Sequence, residues 1–265
     1  MIPTEFRGGV STARDLVGSA IQRAAARTNV DFGYLFNQAK VESGLDPDAR
    51  ARTSSATGLF QFIDQTWLGT VKKHGAAHGL DWAANAISGS GGRYGVADPA
   101  MRQAILDLRN DPEAASAMAA EFARDNQATL EANLDRPVES VDLYLAHFLG
   151  AAGASEFLRA HDAEPDADAA SLMPAAARAN RNVFYDRDAA PRSFAEIRNR
   201  FAAKIGGSAA IPPASTRPFA DTELATNEFL PIRPAQLAAD AGKLPTAPTP
   251  QYARLAYLML AELGA

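Results

Sequence analysis

One glutamate stands at the edge of the apolar face of a predicted helix. Asp31 can cap a helix whose apolar stripe includes Leu35 and Ala39. Glu42 lies about 20° around that helix from Leu35, one turn beyond Ala39 and close to the helix end. Partial burial disfavours the charged carboxylate and raises its pKa, which allows a carboxyl to hold a proton at neutral pH and act as a general acid. On geometry alone, the alternative of a solvated glutamate at a helix terminus stays open.

An amide occupies a comparable place in the next apolar segment. Gln61 lies within the sequence GLFQF and has large apolar residues on both sides. Such an amide is either a hydrogen-bonded core group or a ligand-binding group directed into a cleft. Between Glu42 and Gln61 the chain turns at Asp46-Pro47 and then crosses a polar stretch over residues 48–57.

The other patterns that could carry chemistry are weaker. His74 and His78 have the i, i+4 spacing that can place two imidazoles on one metal, but glycines interrupt the helix and no third ligand is evident. They are predicted to be surface histidines, with metal binding as the minor alternative. The sequence SGSGGRYG at 88–95 lacks the spacing of a phosphate-binding loop and is expected to be a flexible loop. We predict no metal and no cofactor.

The elements that must position these residues are predicted to be helices. Asp-Pro pairs at 98–99 and 111–112 each resemble a cap followed by proline at the first helical position. The sequence SFAE at 193–196 forms a capping-box pattern. A further helix is expected to stop at Gly150. Because neither an alternating strand nor a hairpin signal is evident, the sequence predicts an all-α fold.

Composition excludes several classes of protein. The 26 Lys and Arg residues against 31 Asp and Glu residues give a net charge of −5, without the basic face of a nucleic-acid-binding protein. No run of about 18 apolar residues predicts a membrane span. The absence of cysteine excludes disulfides and thiolate metal sites. The N-terminal stretch shows no secretory signal pattern, so the route of any export is not predicted.

The organisation changes after Ile205. Proline is concentrated between there and Gln251, and each proline removes a backbone donor and restricts the residue before it. We predict a main domain over residues 1–205, a Pro- and Ala-rich linker or strap over 206–250, and an amphipathic helix over 251–265. The apolar face of that last helix either packs on the domain or binds a protein partner.

Several ordered blocks together resemble a known family. They are Glu42-Ser43, Asp46-Pro47, Ser54-Ser55-Ala56, Gly58-Leu59-Phe60-Gln61, Thr66 and, later, LYLAHFLGAAGASEFL at 143–158. This order and spacing is similar to the lytic transglycosylases with a soluble-transglycosylase (SLT), lysozyme-like catalytic domain. The blocks cover about residues 30–75 and 140–160 of the expected domain.

The resemblance implies an enzyme that cuts the β-1,4 bond between N-acetylmuramic acid and N-acetylglucosamine in peptidoglycan. Glu42 would protonate the leaving oxygen and then accept the proton of the muramic acid 6-hydroxyl, which attacks C1 to give a 1,6-anhydro end. No convincing second catalytic carboxylate is found, whereas most glycosidases use two. The implied substrate-binding residues are Ser43, Ser54 (with Thr53 as the alternative), Phe60, Gln61, Tyr144 and His147.

Two departures from the family pattern stand out. Phe60 replaces a methionine but keeps an apolar wall for a sugar ring. The family's Ala-Tyr-Asn-Ala-Gly segment corresponds to residues 146–150, so that His147 stands for the tyrosine and Phe148 for the asparagine. His147 can keep a polar contact near the reacting sugar, assisted by Tyr144 on the same helical face. The alternative is a hydrogen-bonded helix histidine beside a core tyrosine.

Two other functions remain open at the level of sequence. One is a hydrolytic muramidase, in which water replaces the 6-hydroxyl. The other is a non-catalytic protein for peptidoglycan binding or assembly on the same fold. The implied place of action is the periplasm or cell wall, and residues 251–265 are the predicted contact for a partner in an envelope-spanning machine or a phage.

Overall fold

Helices make up most of the described chain, which confirms the all-α class. The computed structural model describes residues 11–206 with the exception of residue 53. The helices are α1 (Ser11–Thr28), α2 (Phe32–Ser43), α3 (Asp64–His74), α4 (Asp81–Ala86), α5 (Pro99–Asp107), α6 (Pro112–Asn133), α7 (Ser140–Ala163), α8 (Ala169–Leu172), α9 (Pro174–Ala179), α10 (Arg181–Phe184) and α11 (Phe194–Ile205). Short 3-10 segments, Gly75–His78 and Leu108–Asn110, follow α3 and α5.

Side-chain caps begin the helices where the sequence predicts them. Asp31 accepts a hydrogen bond from the backbone N–H of Tyr34 at 2.7 Å. The carboxylates of Asp98 and Asp111 do the same for α5 and α6, each with proline in the first turn. Ser193 and Glu196 form a capping box at α11. These bonds satisfy donors that the helix itself leaves unpaired, so the helix starts are encoded locally.

The core lies where α6 and α7 pack on each other and on α1, α3 and α11. Trp67 on α3 is fully buried and donates its indole N–H to the carbonyl of Ile105 at 2.7 Å. Phe157 on α7 packs edge-on against Phe194 on α11. This packing places the end of α2, the middle of α7 and the end of α11 beside one another.

Gly150 lies inside helix α7, although the sequence predicts that the helix ends at this residue. Its φ of 74° and ψ of 156° are not helical, yet the chain resumes the helix and continues to Ala163. Glycine tolerates this conformation without steric penalty, so it allows a kink between two packed halves. The expected helix stop is therefore a bend within α7.

One prediction is wrong: residues 87–96 form a hairpin instead of a flexible loop. Strand β1 (Ile87–Ser90) pairs antiparallel with β2 (Arg93–Val96) across a two-residue turn. Gly91 and Gly92 have φ of 59° and 80°, as the twist-compatible hairpin turn requires. β1 buries only Ile87, and β2 alternates over only two apolar residues, Tyr94 and Val96, which is too short a pattern to predict a strand.

The predicted C-terminal segments lie outside the described residues. These are the linker or strap at 206–250, apart from Gly206, and the amphipathic helix at 251–265. Gly206 closes α11 with a left-handed conformation. In the part of the chain that the structure covers, none of the helices has the length and apolar character needed to cross a membrane.

Candidate active site

The end of α2 is tied directly to the segment that carries Gln61. Ser43 donates its hydroxyl hydrogen toward the carbonyls of Ala39, at 3.0 Å, and Leu59, at 2.9 Å. Gly44 then ends the helix in a left-handed conformation. Ser43 therefore fixes the position of Glu42, its neighbour in sequence, relative to residues 58–62.

Gln61 holds the loop that returns from the crossing. Its φ is 48°, and its side-chain amide donates to the carbonyls of Ala49, at 3.1 Å, and Gly58, at 2.9 Å. Gly58 has a φ of 80°, and a β-carbon there would overlap the backbone oxygen of Arg109. The close approach of two backbones explains why glycine occupies this position.

Arg109 fastens the same loop from the other side. Its guanidinium is buried and donates to the carbonyls of Ser55, at 2.8 Å, and Phe62, at 2.9 Å, and to the carboxylate of Asp64, at 2.9 Å. A buried arginine requires such a set of acceptors. Arg109 thus holds residues 55, 62 and 64, at the end of the crossing between α2 and α3.

The Glu42 carboxyl lies in a cluster assembled from three helices. Its side chain is 1% exposed. Tyr144 on α7 donates its hydroxyl hydrogen to Oε1 of Glu42 at 3.2 Å. Nε2 of His147, also on α7, lies 3.7 Å from the same oxygen. Lys204 on α11 lies over the Tyr144 ring, with Nζ 5.7 Å from the ring centroid.

Burial and one cation set the acidity of this cluster. Burial raises the pKa of Glu42 to about 7, against the opposing effects of the Lys204 charge and the Tyr144 hydrogen bond. Burial, together with the Lys204 charge, lowers the pKa of His147 to about 4. Burial and the charge of Glu42 also raise the pKa of Tyr34 and Tyr144. Near neutral pH, Glu42 can therefore hold or release a proton while His147 stays neutral.

A groove of about 540 Å³ runs between α3, β2, α6 and the kink of α7. Its lining includes Thr66, Tyr94 and Asn126, and residues 149–153 around the kink. Phe122 also lines it, and the Phe122 ring centroid lies 6.2 Å from that of His147. The groove therefore adjoins the Glu42 cluster and combines an apolar floor with polar groups, as binding sites for small organic groups do. The hairpin at 87–96, which the sequence does not predict, forms part of the groove wall through Gly92 and Tyr94.

The remaining predicted site residues occupy different places. Ser54 accepts a hydrogen bond from the backbone N–H of Ala56, and Thr53 is outside the described residues. The Phe60 ring is 1% exposed and belongs to the core. Of the predicted group, the structure brings Tyr144 and His147 to Glu42.

Three contributors to the site carry no recognisable sequence signal. Gln38 contacts His147, Lys204 acts on Glu42, and Arg109 clamps the loop. Gln38 lies one turn before Glu42 on the same helical face, which is the one available hint. The other two come from α11 and the segment after α5, so sequence spacing does not relate them to Glu42.

His74 and His78 are not surface residues, contrary to the prediction. Their side chains are 11% and 6% exposed. Nε2 of His74 lies 2.8 Å from Asp125, and Nε2 of His78 lies 2.7 Å from Glu121. Both imidazoles anchor α3 and the following turn to α6. Within residues 11–206, apart from residue 53, no three acidic, His or Cys side chains are grouped to hold a metal ion.

The described helices enclose the Glu42 carboxyl as a candidate acid–base centre. Residues 19–90 match the family model described as the Transglycosylase SLT domain. This match confirms the resemblance to the SLT, lysozyme-like family on the segment that carries Glu42 and Gln61. It supports transglycosylase-type activity on peptidoglycan.

Proposed function

We propose that this protein is a peptidoglycan lytic transglycosylase with Glu42 as its single acid–base residue. The observation that carries the proposal is the enclosed Glu42 carboxyl, whose pKa of about 7 suits both donation and acceptance of a proton near neutral pH. The SLT match over residues 19–90 supports peptidoglycan as the substrate. The adjoining groove offers space for a glycan strand.

The proposed reaction consumes no water, because the muramic acid 6-hydroxyl replaces the leaving group at C1. Glu42 gives its proton to the glycosidic oxygen as the bond between that oxygen and C1 of the muramic acid breaks. The carboxylate then takes the proton of the 6-hydroxyl, whose oxygen bonds to C1 and closes the 1,6-anhydro ring. Glu42 ends protonated and ready for another turnover.

The surroundings of Glu42 favour this route over a two-carboxylate hydrolysis. Among the described residues, Lys204 and Tyr144 act on the acidity of Glu42, and Nε2 of His147 lies 3.7 Å from its carboxyl oxygen. Asp125 lines the groove, but it pairs with Lys73 at 2.7 Å and with His74 at 2.8 Å. Burial acts to raise the pKa of Asp125, but these two partners outweigh it and hold the pKa below its usual range, which is unsuited to a general acid.

Product analysis tests the proposal. Purified protein is incubated with cell wall, and the released fragments are identified by mass spectrometry. We expect 1,6-anhydro-muramic ends from the wild type and from Asp125→Asn, and no products from Glu42→Gln. Reducing ends without the anhydro ring would instead establish the hydrolytic muramidase.

Binding without cutting is the second candidate, motivated by the departures at His147 and Phe148. A pull-down with insoluble peptidoglycan separates it from catalysis. If Glu42→Gln binds the wall and the wild type releases nothing, the protein is a binding or assembly factor.

We also propose action in the periplasm or cell wall and a partner contact through residues 251–265. Deleting that segment is expected to abolish the contact while cutting continues.

A further inference from the structure

A glutamine that the proposed reaction does not use contacts the histidine beside Glu42. Gln38 is 3% exposed and lies one helical turn before Glu42 on α2. Its side-chain Nε2 lies 3.2 Å from Nδ1 of His147. Gln38 thus connects α2 to α7 at the level of the candidate acid.

The other end of the same imidazole is directed at the carboxyl. Nε2 of His147 lies 3.7 Å from Oε1 of Glu42. This nitrogen is buried and has no hydrogen-bond partner among the described residues. A buried polar atom without a partner is destabilising, so its position next to a reacting group indicates a bond made at another stage of the reaction.

Hydrogen-bond chemistry links the protonated nitrogen of His147 to the orientation of the Gln38 amide, whose Nε2 faces Nδ1. A neutral imidazole has one N–H donor and one acceptor nitrogen, whereas the amide nitrogen of glutamine only donates. If Gln38 donates to Nδ1, the imidazole proton must be on Nε2. His147 then presents a neutral N–H donor toward the Glu42 oxygen.

We propose that Gln38 is a positioning residue that holds His147 as the neutral Nε2–H tautomer, so that His147 donates a hydrogen bond to the Glu42 carboxylate formed during the reaction. This inference rests on the proposed function. While Glu42 is protonated, the distance between Nε2 of His147 and the Glu42 oxygen is long. It shortens when the carboxylate forms, because catalytic hydrogen bonds are often long in the resting enzyme and tighten during the reaction. The donor stabilises the charge at the stage when Glu42 must act as a base.

The charges around the pair are compatible with a neutral histidine. Among the described residues, the titratable groups around His147 are Glu42 on α2, Tyr144 on α7, whose ring stacks on the imidazole, and Lys204 on α11. From α6, His147 meets the ring of Phe122. The Lys204 charge disfavours an imidazolium. A carboxylate at position 38 would favour one, which gives a physical reason for an amide there.

Two variants of the full chain test the inference. Gln38→Met keeps the length of the side chain without the amide, and Gln38→Glu provides only acceptors for the imidazole. Long-range proton–nitrogen NMR at pH 7, without substrate, reports which nitrogen of His147 is protonated. We expect Nε2–H in the wild type, a mixture of tautomers in Gln38→Met, and protonation of Nδ1 in Gln38→Glu. Gln127→Met is the control, because Gln127 is equally buried but bonds Glu131 on α6.

Kinetics provide a second measurement. Without a fixed donor the Glu42 carboxylate is less stable, so we expect Gln38→Met to lower kcat about 10-fold at unchanged KM and to move the alkaline limb of the pH profile upward. An Nδ1–H tautomer or a charged His147 in the wild type would overturn the inference. So would an unchanged tautomer in both variants. The NMR result needs no turnover, so it stands apart from a failure to find anhydro products.

Discussion

At the scale of single residues, the acidity of Glu42 is a balance between burial and two polar neighbours. Burial favours the neutral acid, whereas the Lys204 charge and the Tyr144 hydroxyl favour the carboxylate. A residue that must first donate and then accept a proton works best when neither form dominates at the working pH. The resulting pKa of about 7 meets that condition.

Replacing Lys204 by Met tests this balance. Removing the positive charge raises the pKa of Glu42, so the protonated acid persists to higher pH. The alkaline limb of the rate of anhydro-product formation, measured from pH 5 to pH 9, should move upward. Lys204→Arg keeps the charge and should leave the limb near its original position.

Lys40 provides a matched control for the lysine replacement. It is exposed on α2, two residues before Glu42, and its charge is not among those that act on Glu42. Lys40→Met should therefore leave the pH profile unchanged. Equal profiles for Lys204→Met and the wild type would show that Lys204 does not tune the acid.

At the scale of elements, the crossing between α2 and α3 depends on one close backbone contact. Gly58 approaches the carbonyl of Arg109, while the Arg109 side chain binds the carbonyls of Ser55 and Phe62. The loop beside Glu42 is therefore held from both the main chain and a side chain. The bond from Ser43 to the carbonyl of Leu59 connects residues 58–62 to the end of α2, next to Glu42.

The substitution Gly58→Ala should damage this element. The new β-carbon overlaps a backbone oxygen and the φ of 80° is unfavourable for alanine. We expect the free energy of unfolding, measured by urea titration, to fall by about 2 kcal/mol or more. Gly18→Ala is the control, since a β-carbon there meets nothing within 4 Å on α1 and should stabilise by about 0.5–1 kcal/mol. Equal effects of the two changes would contradict the close-contact explanation.

Local chemistry explains which elements could be predicted from the sequence. The caps at Asp31, Asp98 and Asp111 are recognisable because their partners lie two or three residues away. The hairpin at 87–96 is not predictable from the sequence because each strand has four residues, too few to establish an apolar period of two. The Gly150 kink was mistaken for an end because the packing that allows α7 to resume involves residues far along the chain.

At the scale of the whole molecule, the site too is predictable only where its residues are encoded by nearby sequence. Glu42 could be proposed from its place on one helix, and Gln61 from its apolar neighbours. The sequence indicates His147 only through a family resemblance, and it does not indicate Lys204 or Arg109. His147 and Lys204 reach the acid from α7 and α11, and Arg109 reaches the neighbouring loop from the segment after α5, so no local pattern encodes these contacts.

The burial that tunes Glu42 should also lower the stability of the fold above pH 4.5. The folded protein holds the Glu42 proton up to a pKa of about 7, whereas a model glutamate releases it near 4.5. Between these values the folded state binds more protons than the unfolded state, so stability falls as pH rises and the loss is complete above pH 7. The lowered pKa of His147 has the opposite effect between about pH 4 and 6.5, and its causes are burial and the Lys204 charge, not Glu42.

Glu42→Gln removes the titration while keeping the shape of the side chain. We expect this variant to be more stable than the wild type at pH 8 by on the order of 3 kcal/mol, and nearly equal to it at pH 4, in thermal or urea unfolding. Glu156→Gln, at an exposed position on α7, should change stability by less than about 0.5 kcal/mol at either pH. A gain for Glu42→Gln that is the same at both pH values would mean that burial of the charge is not its cause. A gain confined to high pH would show that the fold maintains an unfavourable buried acid, as expected where a site is selected for chemistry at the expense of stability.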